Sequence, residues 1–148
     1  DLKSQSLLLP GAKEFIEHMS SQYYLAIVSG ALRSEIEMIL ETAGLKKKFH
    51  VIVAAEDVSQ GKPRPDGFIL AIRLLNRDHV PPSEILLSEE CLVIEDSPWG
   101  LEAAKLAGVK SLALLTSYPR ERLTLANLIA PDLRHLKWDQ VEALFPIS

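Results

Sequence analysis

Short apolar runs alternate along this chain with segments of helical periodicity, and this alternation constrains the fold more than any other feature. Four runs are nearly continuous in apolar residues, as is typical of strands buried on both faces: Tyr24–Val28, Val51–Ala55, Cys91–Ile94 and Ser111–Leu115. Strands that alternate with helices form βαβ units, and therefore a parallel sheet with helices on both faces. We predict an α/β fold.

The segments between the runs carry apolar residues at helical spacing. They predict helices at 11–21, from Leu32 to Ala43, from Asp66 through Leu75, and from Leu101 to Ala107. Gly44 and Gly108 can close two of these helices as left-handed caps, and Asp66 can cap the start of another. After the fourth strand we expect a loop and one or two short helices, within 123–129 and 138–144.

Composition excludes several classes of protein. With 148 residues and 47% hydrophobic content, the chain can bury one sizeable core. The net charge is −4 and no basic run exceeds Lys46–Lys48, so we expect no nucleic-acid partner. Cys91 is the only cysteine, which rules out an internal disulfide. No apolar run approaches the roughly 20 residues that span a bilayer, so we expect a cytoplasmic protein without a membrane partner.

Two adjacent carboxylates follow the third strand, at the edge of the sheet where open α/β folds bind ligands. Glu95 and Asp96 repel each other unless they share a cation. A hard divalent ion such as Mg²⁺ prefers carboxylate oxygens together with water and substrate phosphate. Taken alone, such a pair is more often part of a turn and a helix cap. It becomes a candidate magnesium site only in combination with other groups.

Ser29 and Lys62 are those other groups. Ser29 and Gly30 lie between a strand and a helix, where a hydroxyl and free amides can face an anion. Lys62 lies in the segment Gly-Lys-Pro-Arg-Pro, whose prolines reduce the entropy lost in presenting an ammonium group. Individually they are more simply a helix cap and a solvated lysine. A hydroxyl, a lysine and an acidic pair together form a Mg²⁺-assisted phosphoryl site, so we expect Ser29, Lys62 and Asp96 to converge.

The order and wording of these motifs resemble the haloacid dehalogenase (HAD) superfamily. The likeness is to the capped branch of phosphoglycolate phosphatases and β-phosphoglucomutases, and it runs from about residue 9 to 144. The segments AIVSG (26–30), GKPRPD (61–66) and VIEDS (93–97) resemble the second, third and fourth motifs of that family. The resemblance implies a Rossmann-like parallel sheet flanked by helices.

The resemblance also implies a role for each candidate residue. Ser29 and Gly30 would bind the transferring phosphoryl group, and Lys62 would steady the charge on nucleophile and phosphate. Asp96 would be a direct Mg²⁺ ligand, and Glu95 would be a ligand or an outer partner of the metal.

The first motif of the family, a strand that ends in Asp-x-Asp and supplies the nucleophile, has no counterpart here. Asp1 does not match it, because no apolar strand precedes Asp1 and Lys3 stands where the second aspartate belongs. We therefore expect residues 1–148 to form the C-terminal part of an incomplete HAD-like core, with the central first strand and the cap domain outside this chain. Activity would then require the missing N-terminal segment.

These observations predict a Mg²⁺-dependent phosphatase that acts on a small phosphorylated metabolite through an aspartyl-phosphate intermediate. A phosphomutase is one alternative. A second is a non-catalytic HAD-like binding domain that has lost its nucleophile. A third is an unrelated doubly wound binding domain, in which Ser29 and the acidic pair are only caps.

Overall fold

The structure, a computed structural model, describes residues 11–146. Its strands form two parallel sheets, which confirms the α/β prediction. One sheet pairs β1 (Ala26–Val28) with β2 (Val51–Val53), and the other contains β3 (Leu92–Glu95), β4 (Lys110–Leu114) and β5 (Leu128–Ala130) in that order. Strands β1 and β2 are shorter than the apolar runs that predicted them, whereas β3 and β4 have the predicted lengths and are displaced by one residue.

Helices connect and cover these strands. They are α1 (Ala12–Ser20), α2 (Arg33–Ala43), α3 (Asp66–Asp78), α4 (Pro98–Ala107) and α5 (Trp138–Glu142). Gly44 and Gly108 end α2 and α4 with φ angles of 71° and 75°, in the left-handed region that favours glycine, as predicted. Within residues 11–146, no helix has the length and apolar character needed to cross a bilayer.

Two local predictions were wrong. Residues Leu128–Ala130, expected within a loop or short helix, form β5, which pairs with β4. Asn127 sets this pairing: its side-chain Oδ1 accepts from the Ser111 amide at 2.8 Å, and its own amide donates to the Ser111 carbonyl at 3.0 Å. Asp66 does not cap α3 either, because Pro65 occupies the capping position and Asp66 is the first helical residue.

The sheet is split between β1 and β3. In the described part of the chain these two strands belong to separate sheets, as expected of a core that lacks its central strand. Every residue of β1 and β3 is only half-buried, whereas four of the five residues of β4 are buried. The apolar runs that predicted burial on both faces therefore remain partly uncovered where a neighbouring strand is absent.

Helices α3 and α4 hold the two sheets together. Phe68 on α3 packs with Ala103 and Ala104 on α4, and all three are buried. Val28 of β1 and Val93 of β3 pack against the same cluster from the two sides of the split. An apolar layer thus joins sheets that share no backbone ladder.

We expect an added segment that supplies a strand between β1 and β3 to raise the thermal midpoint and sharpen the melting of this chain. An unpaired, partly buried backbone group costs about 1–3 kcal/mol, and a typical domain is stable by only about 5–15 kcal/mol. Thermal melts of the 148-residue chain and of an extended chain, with the segment in cis or as a second polypeptide, make the comparison. Equal midpoints and equal cooperativity would contradict the expectation.

Candidate active site

The ammonium group of Lys62 bridges the split in the sheet. It donates a hydrogen bond to the carbonyl oxygen of Val28, at the end of β1, over 3.1 Å. It also forms an ion pair with Oε2 of Glu95, at the end of β3, over 2.6 Å. Below it lies the ring of Phe68, whose centroid is 5.3 Å from Nζ. One side chain therefore connects the carboxyl ends of two strands that do not pair with each other.

Both carboxylate oxygens of Glu95 take part in polar contacts, Oε2 with Lys62 and Oε1 with the two residues that follow. Its side chain is only 10% exposed, and Oε1 accepts from the Ser97 hydroxyl and the Asp96 amide, each at 3.3 Å. The Ser97 oxygen in turn accepts from the Gly100 amide and so caps α4. A β-carbon at position 100 would overlap the Glu95 carboxylate, so this arrangement requires glycine there.

Ser29 extends the β1–β2 ladder by one bond, because its amide donates to the Val53 carbonyl at 3.0 Å. Its Oγ accepts from the Ala31 amide at 3.1 Å, which leaves the hydroxyl proton to be donated elsewhere. Gly30 is exposed, and within residues 11–146 its amide has no acceptor. Ser29 and Gly30 therefore offer two donors at the carboxyl end of β1, which suits an anion.

Asp96 is oriented by the loop that follows β4. Its Oδ2 accepts from the Ser117 hydroxyl at 2.8 Å, and in the described residues its Oδ1 has no hydrogen-bond donor. One open carboxylate oxygen suits a hard cation that takes most of its other ligands from water and phosphate. No cluster of three or more acidic, histidine or cysteine side chains among residues 11–146 could enclose a metal by itself. Among the described residues, the Oδ1 atom of Asp96 is thus left available to a ligand from outside the chain.

All five candidates from the sequence lie at one edge of the split sheet. Lys62 contacts the residue before Ser29, and it contacts Glu95, which precedes Asp96. The sequence reasoning did not assign Ser117 a role, although its place just after a strand was a usable signal. It also did not anticipate that Lys62 and Glu95 form a pair, because these residues lie in different segments of the chain.

An aromatic side chain borders this edge. Trp99, in the first turn of α4, is 45% exposed and packs edge to face against Tyr118, with ring centroids 5.6 Å apart. The guanidinium group of Arg122 lies over the Tyr118 ring, 5.3 Å from its centroid. The loop after β4 therefore contacts both the helix start at Trp99 and the carboxylate of Asp96.

Comparison with known proteins identifies related chains. The sequence profile of the haloacid dehalogenase-like hydrolases matches residues 1–108. Validoxylamine A 7′-phosphate phosphatase from Streptomyces hygroscopicus subsp. limoneus is 32% identical over 137 residues, which are 92% of this chain and 60% of that protein.

Solved structures agree with this relationship. CbbY from Rhodobacter sphaeroides, in complex with xylulose 1,5-bisphosphate, has a TM-score of 0.68 at 29% identity over 84% of this chain and 53% of that one. β-Phosphoglucomutase from Clostridium difficile has a TM-score of 0.75 at 23% identity, over 92% and 55% of the two chains, which shows a common fold. This chain spans only 53–60% of the length of these three proteins.

We expect Gly100→Ala to destabilise the protein by about 1–3 kcal/mol, because the new methyl group displaces the Glu95 carboxylate and leaves a partly buried polar group without its partners. Urea titration of the variant measures the change. Gly61→Ala is the matched control, since a β-carbon at position 61 meets no atom within 4 Å. Equal stability of the two variants would show that the Glu95 position does not depend on Gly100.

Proposed function

This chain belongs to the haloacid dehalogenase-like hydrolases, and we propose that it supplies the phosphate-binding and metal-binding groups of a phosphatase. The observation that carries the proposal is the bridge that Lys62 makes between the ends of β1 and β3. It holds a cation against Val28, which directly precedes Ser29 and Gly30, and against Glu95, which directly precedes Asp96. Such a grouping can bind a phosphoryl group on one side and a metal on the other.

Phosphate binding would use donors that the protein leaves uncommitted. The Ser29 hydroxyl and the Gly30 amide would each donate to a phosphoryl oxygen. Lys62 has three N–H donors, of which two point to Val28 and Glu95, so the third can reach the same phosphoryl group. These donors are held in place before substrate binds, which is the condition under which they stabilise charge that develops in the transition state.

Asp96 would hold Mg²⁺ through its open oxygen, while Ser117 keeps the other oxygen in a fixed orientation. When bound, Mg²⁺ would neutralise negative charge on the phosphoryl oxygens. Glu95 remains a candidate ligand or outer partner of the metal. Its ion pair with Lys62 favours the outer role, because an oxygen that already faces an ammonium group is a poorer ligand for a second cation.

The nucleophile of this proposed reaction is an aspartate on a strand between β1 and β3, contributed by a segment ahead of this chain. Two aspartates within the chain that could be considered for this role instead form ion pairs with arginines. Asp57 pairs with Arg33, and Asp78 pairs with Arg77. An aspartate at the carboxyl end of such a strand would lie beside Lys62. The reaction would then pass through an aspartyl-phosphate, which water hydrolyses.

The substrate we propose is a small phosphorylated metabolite. Validoxylamine A 7′-phosphate, after which one relative is named, and the xylulose 1,5-bisphosphate bound to CbbY are both compounds of this class. A phosphomutase would use the same groups and would return the phosphoryl group to a sugar instead of to water. Release of inorganic phosphate, without an isomerised sugar phosphate, distinguishes the phosphatase from the mutase.

We expect Asp96→Asn and Lys62→Ala to damage different steps in a protein that carries this chain together with its nucleophile segment. Asp96→Asn should raise the Mg²⁺ concentration needed for half-maximal turnover, because it removes the charge that holds the metal. Lys62→Ala should lower turnover by roughly 100- to 1000-fold, as for other groups that stabilise transition-state charge, with little change in Mg²⁺ dependence. Phosphate release at increasing Mg²⁺ concentration measures both.

Asp78→Asn serves as the control for these variants, because Asp78 is exposed and, within residues 11–146, its one ion pair is with Arg77 at the end of α3. It should match the wild type in both measurements. Unaltered Mg²⁺ dependence in the Asp96 variant would remove Asp96 from the metal site. Unaltered turnover in the Lys62 variant would remove Lys62 from the phosphate site.

A further inference from the structure

A second group of charged side chains lies where the loop that carries Ser29 meets the turn after β2. It consists of Arg33, the first residue of α2, and of Glu56 and Asp57, in the short turn that follows β2. The Arg33 guanidinium donates to the Ile52 carbonyl at 2.9 Å and pairs with Oδ2 of Asp57. We call Arg33, Glu56 and Asp57 the clamp.

The clamp ties the loop 29–33 to the turn 54–57. The amide of Arg33 donates to Oε1 of Glu56 at 2.9 Å, and the amide of Ala55 donates to the carbonyl of Ala31 at 2.9 Å. Oδ2 of Asp57 also accepts from the Ala54 amide at 2.7 Å, which holds the turn itself in shape. The loop that carries Ser29 and Gly30 is therefore held by bonds to a neighbouring segment.

Asp57 is the centre of this arrangement. Its Oδ2 atom accepts hydrogen bonds from the Ala54 amide in its own turn and from the Arg33 guanidinium at the start of α2. The guanidinium group of Arg33 contacts Ile52, Asp57 and Glu37, and among the described residues it makes no hydrogen bond to Ser29 or Gly30.

We propose that Asp57, acting through Arg33, is a positioning residue that fixes the Ser29 hydroxyl and the Gly30 amide for phosphate binding. This inference rests on the proposed phosphatase function. Hydrogen bonds weaken steeply when their geometry departs from the ideal, so a loop released from the clamp would bind phosphate less tightly even if the fold were intact.

The exposure of the pair separates this role from a purely structural one. The side chains of Arg33 and Asp57 are 39% and 30% exposed, and ion pairs with that much access to water contribute little to stability. Loss of the ion pair alone should therefore have a small effect on the melting temperature, as in Asp57→Asn, whose amide oxygen still accepts from the buried Ala54 amide. Its effect on phosphate affinity should be larger, because that affinity depends on the position of two donors.

The test uses Asp57→Ala and Asp57→Asn in a protein that carries this chain and its nucleophile segment. The probe is inorganic phosphate, measured as a competitive inhibitor of phosphomonoester hydrolysis. We expect Asp57→Ala to raise the inhibition constant and KM roughly tenfold, with a smaller change in kcat. Asp57→Asn should have a smaller effect, because the amide oxygen can still accept from the Arg33 guanidinium and from the Ala54 amide. If Asp57→Ala does not fold, the Asn variant carries the comparison.

A double-mutant cycle with Ser29→Ala tests whether Asp57 acts through the loop. If it does, Asp57→Ala should weaken phosphate binding by only about threefold when Ser29 is already alanine, because the Gly30 amide is then the one loop donor left to misplace. Asp78→Ala is the matched control, because it removes another exposed ion pair, with Arg77 at the end of α3, that has no link to Arg33 among the described residues. That variant should keep the inhibition constant of the wild type.

Two results would overturn the inference while leaving the proposed function in place. One is an active Asp57→Ala enzyme with the wild-type inhibition constant, and the other is a full additional loss in the Ser29→Ala background. A wild-type protein that neither binds phosphate nor releases it from an ester would contradict the proposed function itself, and this inference with it.

Discussion

The contact of the Lys62 ammonium group with Val28 and Glu95 is the interaction on which the rest of the site depends. It is partly shielded from water, since the two charged side chains are 24% and 10% exposed. Removing one member of a well-buried pair costs about 3–5 kcal/mol because it leaves the other charge uncompensated, and partial exposure lowers that figure here. The contact therefore does more to set geometry at the sheet edge than to stabilise the fold.

This geometry matters because the sheet is split. In a continuous parallel sheet, backbone ladders would fix the strand ends relative to one another. Between β1 and β3, the apolar cluster around Phe68 and the Lys62 bridge perform that task. Gly100 makes room for Glu95, and Ser97 connects Glu95 to the start of α4. Small residues and local hydrogen bonds thus support the long-range ion pair of the site.

Patterns that extend over several residues were readable from the sequence, and contacts between distant segments were not. Periodicity predicted the α/β class, strand ends pointed to Ser29 and Asp96, and a loop with two prolines pointed to Lys62. The strand Leu128–Ala130 was missed because three apolar residues carry too little periodicity, and its pairing depends on Asn127 and Ser111. The ion pair of Lys62 with Glu95 requires knowledge of how α3 and α4 pack, which local patterns do not contain.

The most direct test of this account is a crystal structure of the protein that carries this chain, soaked with tungstate as a heavy-atom mimic of phosphate. We predict one anomalous peak at the carboxyl edge of the split sheet, with oxyanion oxygens within hydrogen-bond distance of Ser29 Oγ, the Gly30 amide and Lys62 Nζ. Tungstate bound elsewhere, with Ser29 and Lys62 making no contact to it, would contradict the claim that these residues form one phosphate site.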